Sequence, residues 1–217
     1  HVWVSSNELT AYVASGPLFS GTTIKKSVRN SINEDFPAPQ VAPELNLVND
    51  GGSYWVSPSL TADLNTIYVE HVGQSPQFLV FSRKSNADPF GSPEQPQTRG
   101  HEFYGKDPFI VPSSRSMLMV SPDAPSQVDE YGHDTKAIYG DGGVGDFETA
   151  ASTRTEALVS DAGAYKPIID EKGLILLFAS DKKPATKQAR DIWISTRAGD
   201  QGSFGAPVRL SNTVNGT

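Results

Sequence analysis

A phenylalanine followed within three residues by alanine or proline recurs at four nearly evenly spaced places along this chain. The copies are Phe36-Pro37-Ala38-Pro39, Phe90-Gly91-Ser92-Pro93, Phe147-Glu148-Thr149-Ala150 and Phe204-Gly205-Ala206-Pro207. Their spacings are 90 − 36 = 54, 147 − 90 = 57 and 204 − 147 = 57 residues. Four such units account for all 217 positions. A fixed period of this length marks an architecture assembled from equivalent units, each needing a neighbour to bury its apolar face.

Within each unit apolar residues recur at period two, the alternation of extended strands, and not at the 3.6 of a helix. A turn-bounded opening segment leads into an alternating strand at 9–15, 65–69, 117–120 and 174–180. Third strands are predicted at 23–29, 77–83, 135–139 and 191–197, and the phenylalanine mark leads into a fourth, edge strand such as 207–210. Edge strands tolerate proline and charge because only one side is hydrogen-bonded. The 16 Pro and 19 Gly supply the turns between these short segments. No helix longer than a turn is expected.

Four short antiparallel strands per unit, repeated radially, describe an all-β propeller. The expectation is one domain, 1–217, with blades at 1–48, 49–99, 100–160 and 161–217. A five-bladed ring with one diverged stretch between 94 and 160 is the alternative. Closure of four complete blades would rest on packing of the first blade against the fourth, including Trp3. An unclosed ring would expose inter-blade faces, so the expected states are a monomer or a weak dimer.

The fourth unit resembles the PD40 (WD40-like, TolB-type) propeller repeat. The matching residues are Asp170-Glu171-Lys172-Gly173-Leu174 through Ala179-Ser180-Asp181, then Asp191-Ile192-Trp193-Ile194-Ser195-Thr196-Arg197, then Phe204-Gly205-Ala206-Pro207-Val208-Arg209-Leu210-Ser211. In the second unit Ser57-Pro58-Ser59-Leu60-Thr61-Ala62-Asp63 matches the family's opening strand. The third unit departs from it, with Ser113-Ser114-Arg115-Ser116 where the acidic turn belongs. The resemblance implies an exported bacterial protein, periplasmic or extracellular. It also implies a binding module, since such repeats serve more often as interaction platforms than as catalysts.

The acidic balance, 25 Asp and Glu against 18 Lys and Arg for a net charge of −7, opposes binding to phosphate backbones, so nucleic acid is not an expected partner. Absence of cysteine removes disulfides, thiolate catalysis and cysteine-bound zinc. No apolar run reaches the length of about 18 residues that a membrane-spanning helix needs.

Aligning the units places His1, Ser57, Asp107 and Lys166 at one inner-strand position. Trp3, Ser59, Phe109 and Ile168 follow two residues on, facing the same side. A mixed-charge ligand site and a structural Asp107–Lys166 ion pair are both consistent with this. The third unit carries a polar stretch at 122–134 in which Asp129, Glu130, Tyr131, His133 and Asp134 are candidates for ligand or cation binding, or a solvated surface loop. Asp141 and Asp146 flank glycines and are candidate metal ligands, without the full oxygen series of a calcium loop. No cofactor is required by these residues, and a divalent metal is compatible with them.

Two functions follow. The first is a non-catalytic module that recognises a protein or a glycan at the channel mouth, where exposed aromatics stack on sugar rings and carboxylates bind hydroxyls. The second is a propeller-type glycoside hydrolase or lyase, which needs a carboxylate pair. Asp107 and Asp170, placed on adjacent inner strands, are the pair expected for it. The run Gly105-Lys106-Asp107-Pro108-Phe109 resembles the inner strands of five-bladed propeller glycosidases, although their other acids have no counterpart here.

Overall fold

The computed structural model describes residues 1–16, 22–45, 47, 54–73, 77–95, 97–98, 101–102, 106–111, 116–120, 127–131, 154–157, 164–170, 172–180, 190–199 and 202–215. The described chain is all-β, built from antiparallel meanders in which each strand pairs with the next. The first sheet is β1 (Val2–Val4), β2 (Thr10–Ser15), β3 (Thr23–Val28) and β4 (Gln40–Val41). The second is β5 (Tyr54–Leu60), β6 (Thr66–Val72) and β7 (Gln77–Ser82). A short hairpin, β8 (Gln97–Thr98) and β9 (His101–Glu102), follows. The third sheet is β10 (Lys106–Val111), β11 (Ser116–Val120), β12 (Gln127–Tyr131) and β13 (Arg154–Ala157). The fourth is β14 (Ala164–Ile169), β15 (Ile175–Ser180), β16 (Asp191–Thr196) and β17 (Val208–Arg209). A single helical turn, α1 (Asn212–Asn215), succeeds it.

The first two sheets belong to one compact unit and the last two to another. In the first unit β5 lies across β1, β2 and β3. Trp3, Tyr12 and Ile24 form the buried face of the first sheet. The Trp55 N–H donates to the Thr22 carbonyl at 3.1 Å, fixing where the second sheet begins on the first. Leu60, Ile67 and Phe81 share one buried face of the second sheet, and Ser59, Tyr68 and Val80 share the other. Between these sheets, the Tyr12 hydroxyl and the Lys26 ammonium both donate to Glu44 Oε1, at 3.0 and 2.9 Å. Burial and the Glu44 carboxylate push the Tyr12 phenol well above its usual value. Burial alone would raise the Glu44 carboxyl, but bonds from Lys26, its own backbone and Tyr12 hold it below the usual carboxylate range.

In the second unit β14 lies across β10, β11 and β12. The alternation of β15 is plain: Leu176, Phe178 and Ser180 are buried, and Ile175 is exposed. At the sheet edge, Arg209 grips the buried Asp191 carboxylate with Nε at 2.7 Å and Nη2 at 3.1 Å. The Asn215 amide bonds both the N–H and the carbonyl of Ile192, which holds α1 against β16.

One turn design recurs in three sheets and explains the phenylalanine mark. In the connections beginning at Ser5, Thr61 and Asp170, the first residue's N–H meets a carbonyl five residues on, at 2.9, 3.0 and 2.9 Å. Its side-chain oxygen accepts the N–H of that same residue, at 2.9, 3.1 and 2.6 Å. The fourth position takes a left-handed φ: 58° at Glu8, 62° at Leu64 and 71° at Gly173. An arginine from the third strand's end then donates through Nε to that residue's carbonyl: Arg29 to Glu8, Arg83 to Leu64 and Arg197 to Gly173. Each guanidinium lies over a phenylalanine of the mark: Phe36 at 4.4 Å, Phe90 at 4.4 Å and Phe204 at 4.6 Å. The mark is therefore the floor of an arginine clamp joining two connections of one sheet.

Three expectations are corrected. The third strand of the third unit is Gln127–Tyr131, within the stretch read as a loop. The predicted 135–139 lies outside the described residues. The first run free of proline and glycine after Pro122 and Pro125 in the sequence is the one that pairs with β11. The second sheet has no full fourth strand among the described residues: a single bridge, Val80 to Glu94, stands in its place. Pro89 and Pro93 remove the N–H groups that a longer ladder would use. Finally, Asp170 lies past the end of β14, in the turn, and not on an inner strand.

Candidate functional site

Three of the four aligned positions are bulges, and the fourth, His1, precedes the regular strand β1. Val56 pairs with Glu70 and Ser59 with Tyr68, so Ser57-Pro58 together oppose Val69. Asp107-Pro108 oppose Met119 in the same way, and Lys166-Pro167 oppose Phe178. Proline suits a bulge because no ladder bond is asked of its nitrogen. The residue before it takes φ 53° at Ser57 and 52° at Lys166, a left-handed conformation uncommon for any side chain but glycine. Such bulges re-aim a side chain out of the regular pleat.

In the first unit this re-aiming assembles a polar chain. Ser57 Oγ lies 2.6 Å from His1 Nδ1 and 3.4 Å from Glu70 Oε2. Ser57 is 5% exposed, and His1 and Glu70 are half-buried. Ser57 thus links the residue before β1 and the middle of β5 to β6. Glu70 escaped the sequence reading. Its signal is the ladder position opposite Val56, next to the bulge, which appears only once the register is known.

The other candidates lie on different elements. Trp3 is buried, with its ring 6.3 Å from that of Tyr12. Lys166 is exposed on β14, beside Tyr165, whose ring carries the Arg190 guanidinium at 3.7 Å. Asp107 holds the bulge of β10. Asp129 and Tyr131 are strand residues of β12, paired with Met119 and Met117. Asp170 Oδ1 accepts the N–H groups of Leu174 and Ile175, both at 2.6 Å. His133, Asp141 and Asp146 lie outside the described residues. Among the described residues no three of His, Asp and Glu gather as a metal site, and no helix is long and apolar enough to cross a membrane.

Successive antiparallel meanders, three of them opening on a bulged strand, match a known structure. The chain is similar to a solved structure described as TolB from Agrobacterium tumefaciens, with a TM-score of 0.51 and 13% identity. That likeness covers 94% of this chain and 62% of the other, so this chain spans about three fifths of its length. A Hadza microbial sialidase, Hz136, matches at a TM-score of 0.41 and 11% identity over 90% of this chain and 43% of its own, and adds nothing to the fold assignment. No protein-family model matches the sequence. No curated protein matches it either. The likeness to TolB shows the fold alone: an all-β, propeller-like chain.

Proposed function

We propose that this chain is a non-catalytic binding module of an exported protein, its four sheets serving as the blades of a propeller. The ligand, a protein or a glycan, meets the mouth lined by the inner strands. The observation that carries this reading is the engagement of Asp170. Hydrolysis of a glycoside needs two carboxyl groups facing one bond, and Asp170 was half of the only pair expected. With Oδ1 accepting two backbone N–H groups, its role is to close a hairpin. The variety at the bulges, Ser57, Asp107 and Lys166, also supports recognition over a shared chemistry.

The test is thermal unfolding with a panel of soluble oligosaccharides, each followed by product analysis. A bound glycan at about 100 times its Kd stabilises by about 2.7 kcal/mol, a midpoint rise of roughly 5–10 °C for a chain of this size. A rise without new products supports a glycan-binding module. Release of reducing ends would sink the non-catalytic reading. No rise with any sugar leaves the protein ligand.

A further inference from the structure

Three of the four sheets are tied at two connections by one arginine, and the third lacks the residues to be tied in that way. In the first, second and fourth sheets the clamp has a second arm. Nη1 donates to the carbonyl five residues on: Arg29 to Glu34 at 2.8 Å, Arg83 to Asp88 at 3.5 Å and Arg197 to Gly202 at 3.4 Å. One guanidinium therefore holds both the turn before the second strand and the connection after the third. Those connections, 29–39, 83–93 and 197–207, are of equal length. Each begins with the arginine and has its phenylalanine seven residues on.

The third sheet has neither half of this device in its sequence. Val111 pairs with Ser116, the same separation as Ser5 and Thr10, Thr61 and Thr66, and Asp170 and Ile175. Valine has no side-chain oxygen to accept the partner's N–H. Gly132 follows β12, no arginine occurs in 132–153, and that connection is twice as long as the other three. The backbone ladder points the opposite way. β13 pairs with four residues of β12, Gln127 to Glu130, whereas β4 and β17 pair with two residues each and a single bridge stands beside β7. Ladder pairing alone would make β12 the best protected of the four third strands.

We propose that the third sheet is the opening unit of this chain: β12 and β13 leave β11 together, as a hairpin, while the clamped sheets stay closed. Local opening runs through the weakest cooperative unit of a fold. In a clamped sheet the third strand cannot leave the second without breaking both arms of its arginine. β12 leaves β11 without that cost. A ligand that binds the closed hairpin holds it shut, and its affinity is reduced by the fraction of chains that are open.

Native-state hydrogen exchange of the whole chain, read by mass spectrometry and corrected for intrinsic rates, tests this. Peptides covering Gln127–Tyr131 should exchange about tenfold faster or more than those covering Thr23–Val28, Gln77–Ser82 and Asp191–Thr196. Arg29→Ala removes both arms of one clamp, so β3 should then exchange about tenfold faster while β16 keeps its rate. Arg29→Lys, which keeps the charge and loses the fork, replaces it if circular dichroism shows Arg29→Ala to be misfolded. A β12 that exchanges no faster than β3, β7 and β16 overturns the proposal, because protection then follows the ladder. So does a β3 whose exchange is unchanged when its arginine is replaced.

Discussion

The Arg197 guanidinium lies 4.6 Å from the centre of the Phe204 ring, while its Nε donates to the Gly173 carbonyl. The pair locks the turn after β14 to the connection after β16. Arg197 is 8% exposed, so the bond is made away from water, and an unpaired carbonyl there would cost its full desolvation. Lysine cannot keep both the planar stack and the Nε bond. Arg197→Lys is expected to lose about 1–3 kcal/mol, read from the midpoint shift in urea unfolding. A change within error would mean that the clamp is ornamental.

Glu8 holds a left-handed φ of 58° where the fourth sheet uses Gly173. A side chain in that region costs about 1–2 kcal/mol, part of which glycine returns through its greater freedom when unfolded. The Glu8 carboxylate is exposed and lies 3.5 Å from Arg29, a contact of little value. Glu8→Gly should therefore stabilise, by about 0.5–1 kcal/mol. Thermal unfolding of the single variant decides it, and a lowered midpoint would refute the strain argument.

Asp170 separates a turn role from a catalytic one. Asn keeps an oxygen for the Leu174 and Ile175 N–H groups, whereas Ala keeps none. Asp170→Asn should lose about 1 kcal/mol and Asp170→Ala about 2–3 kcal/mol. Ligand-dependent midpoint shifts should be the same in both once each variant's own stability is subtracted.

The Tyr12–Glu44–Lys26 cluster predicts how stability follows pH. Glu44 is held low when folded, so its contribution is present above the ordinary carboxyl range and is lost as pH falls through the folded value. Tyr12 is held high, so its contribution is full below the ordinary phenol value of about 10 and fades as pH rises beyond it. Urea midpoints should be flat between about pH 6 and 9 as far as this pair goes. Glu44→Gln should remove the acid slope and weaken the alkaline one; unchanged slopes would place their origin elsewhere.

Much of the fold was legible because strand alternation is a local property. The runs 174–180 and 191–197 announce themselves in the residues and became β15 and β16. The phenylalanine mark was also legible, but its cause was not. An arginine stands seven residues before Phe36, Phe90 and Phe204, and Gly140 stands before Phe147. A cation and a ring seven apart form no local pattern until a turn brings them together. The bulges could be aligned but not recognised, although proline at three inner-strand positions was the available sign. Asp170 was misassigned because an acid at a strand's end reads alike whether it faces an axis or caps a turn. The Gln127–Tyr131 strand was missed because its place comes from β11, not from its own polar residues.

The clamps sit at one end of the first, second and fourth sheets, and connection lengths differ between the two ends. At the clamped end, 5–9, 61–65 and 170–174 are of equal length. At the opposite end the linkers 16–22, 73–76, 121–126 and 181–190 all differ. Equal spans are what a fixed bonding pattern demands. Each clamped sheet thus has one end with a constant connection and one with a variable connection. Foreign segments grafted between β15 and β16 should be carried without disturbing any clamp, which makes this protein a natural scaffold for displaying inserted loops.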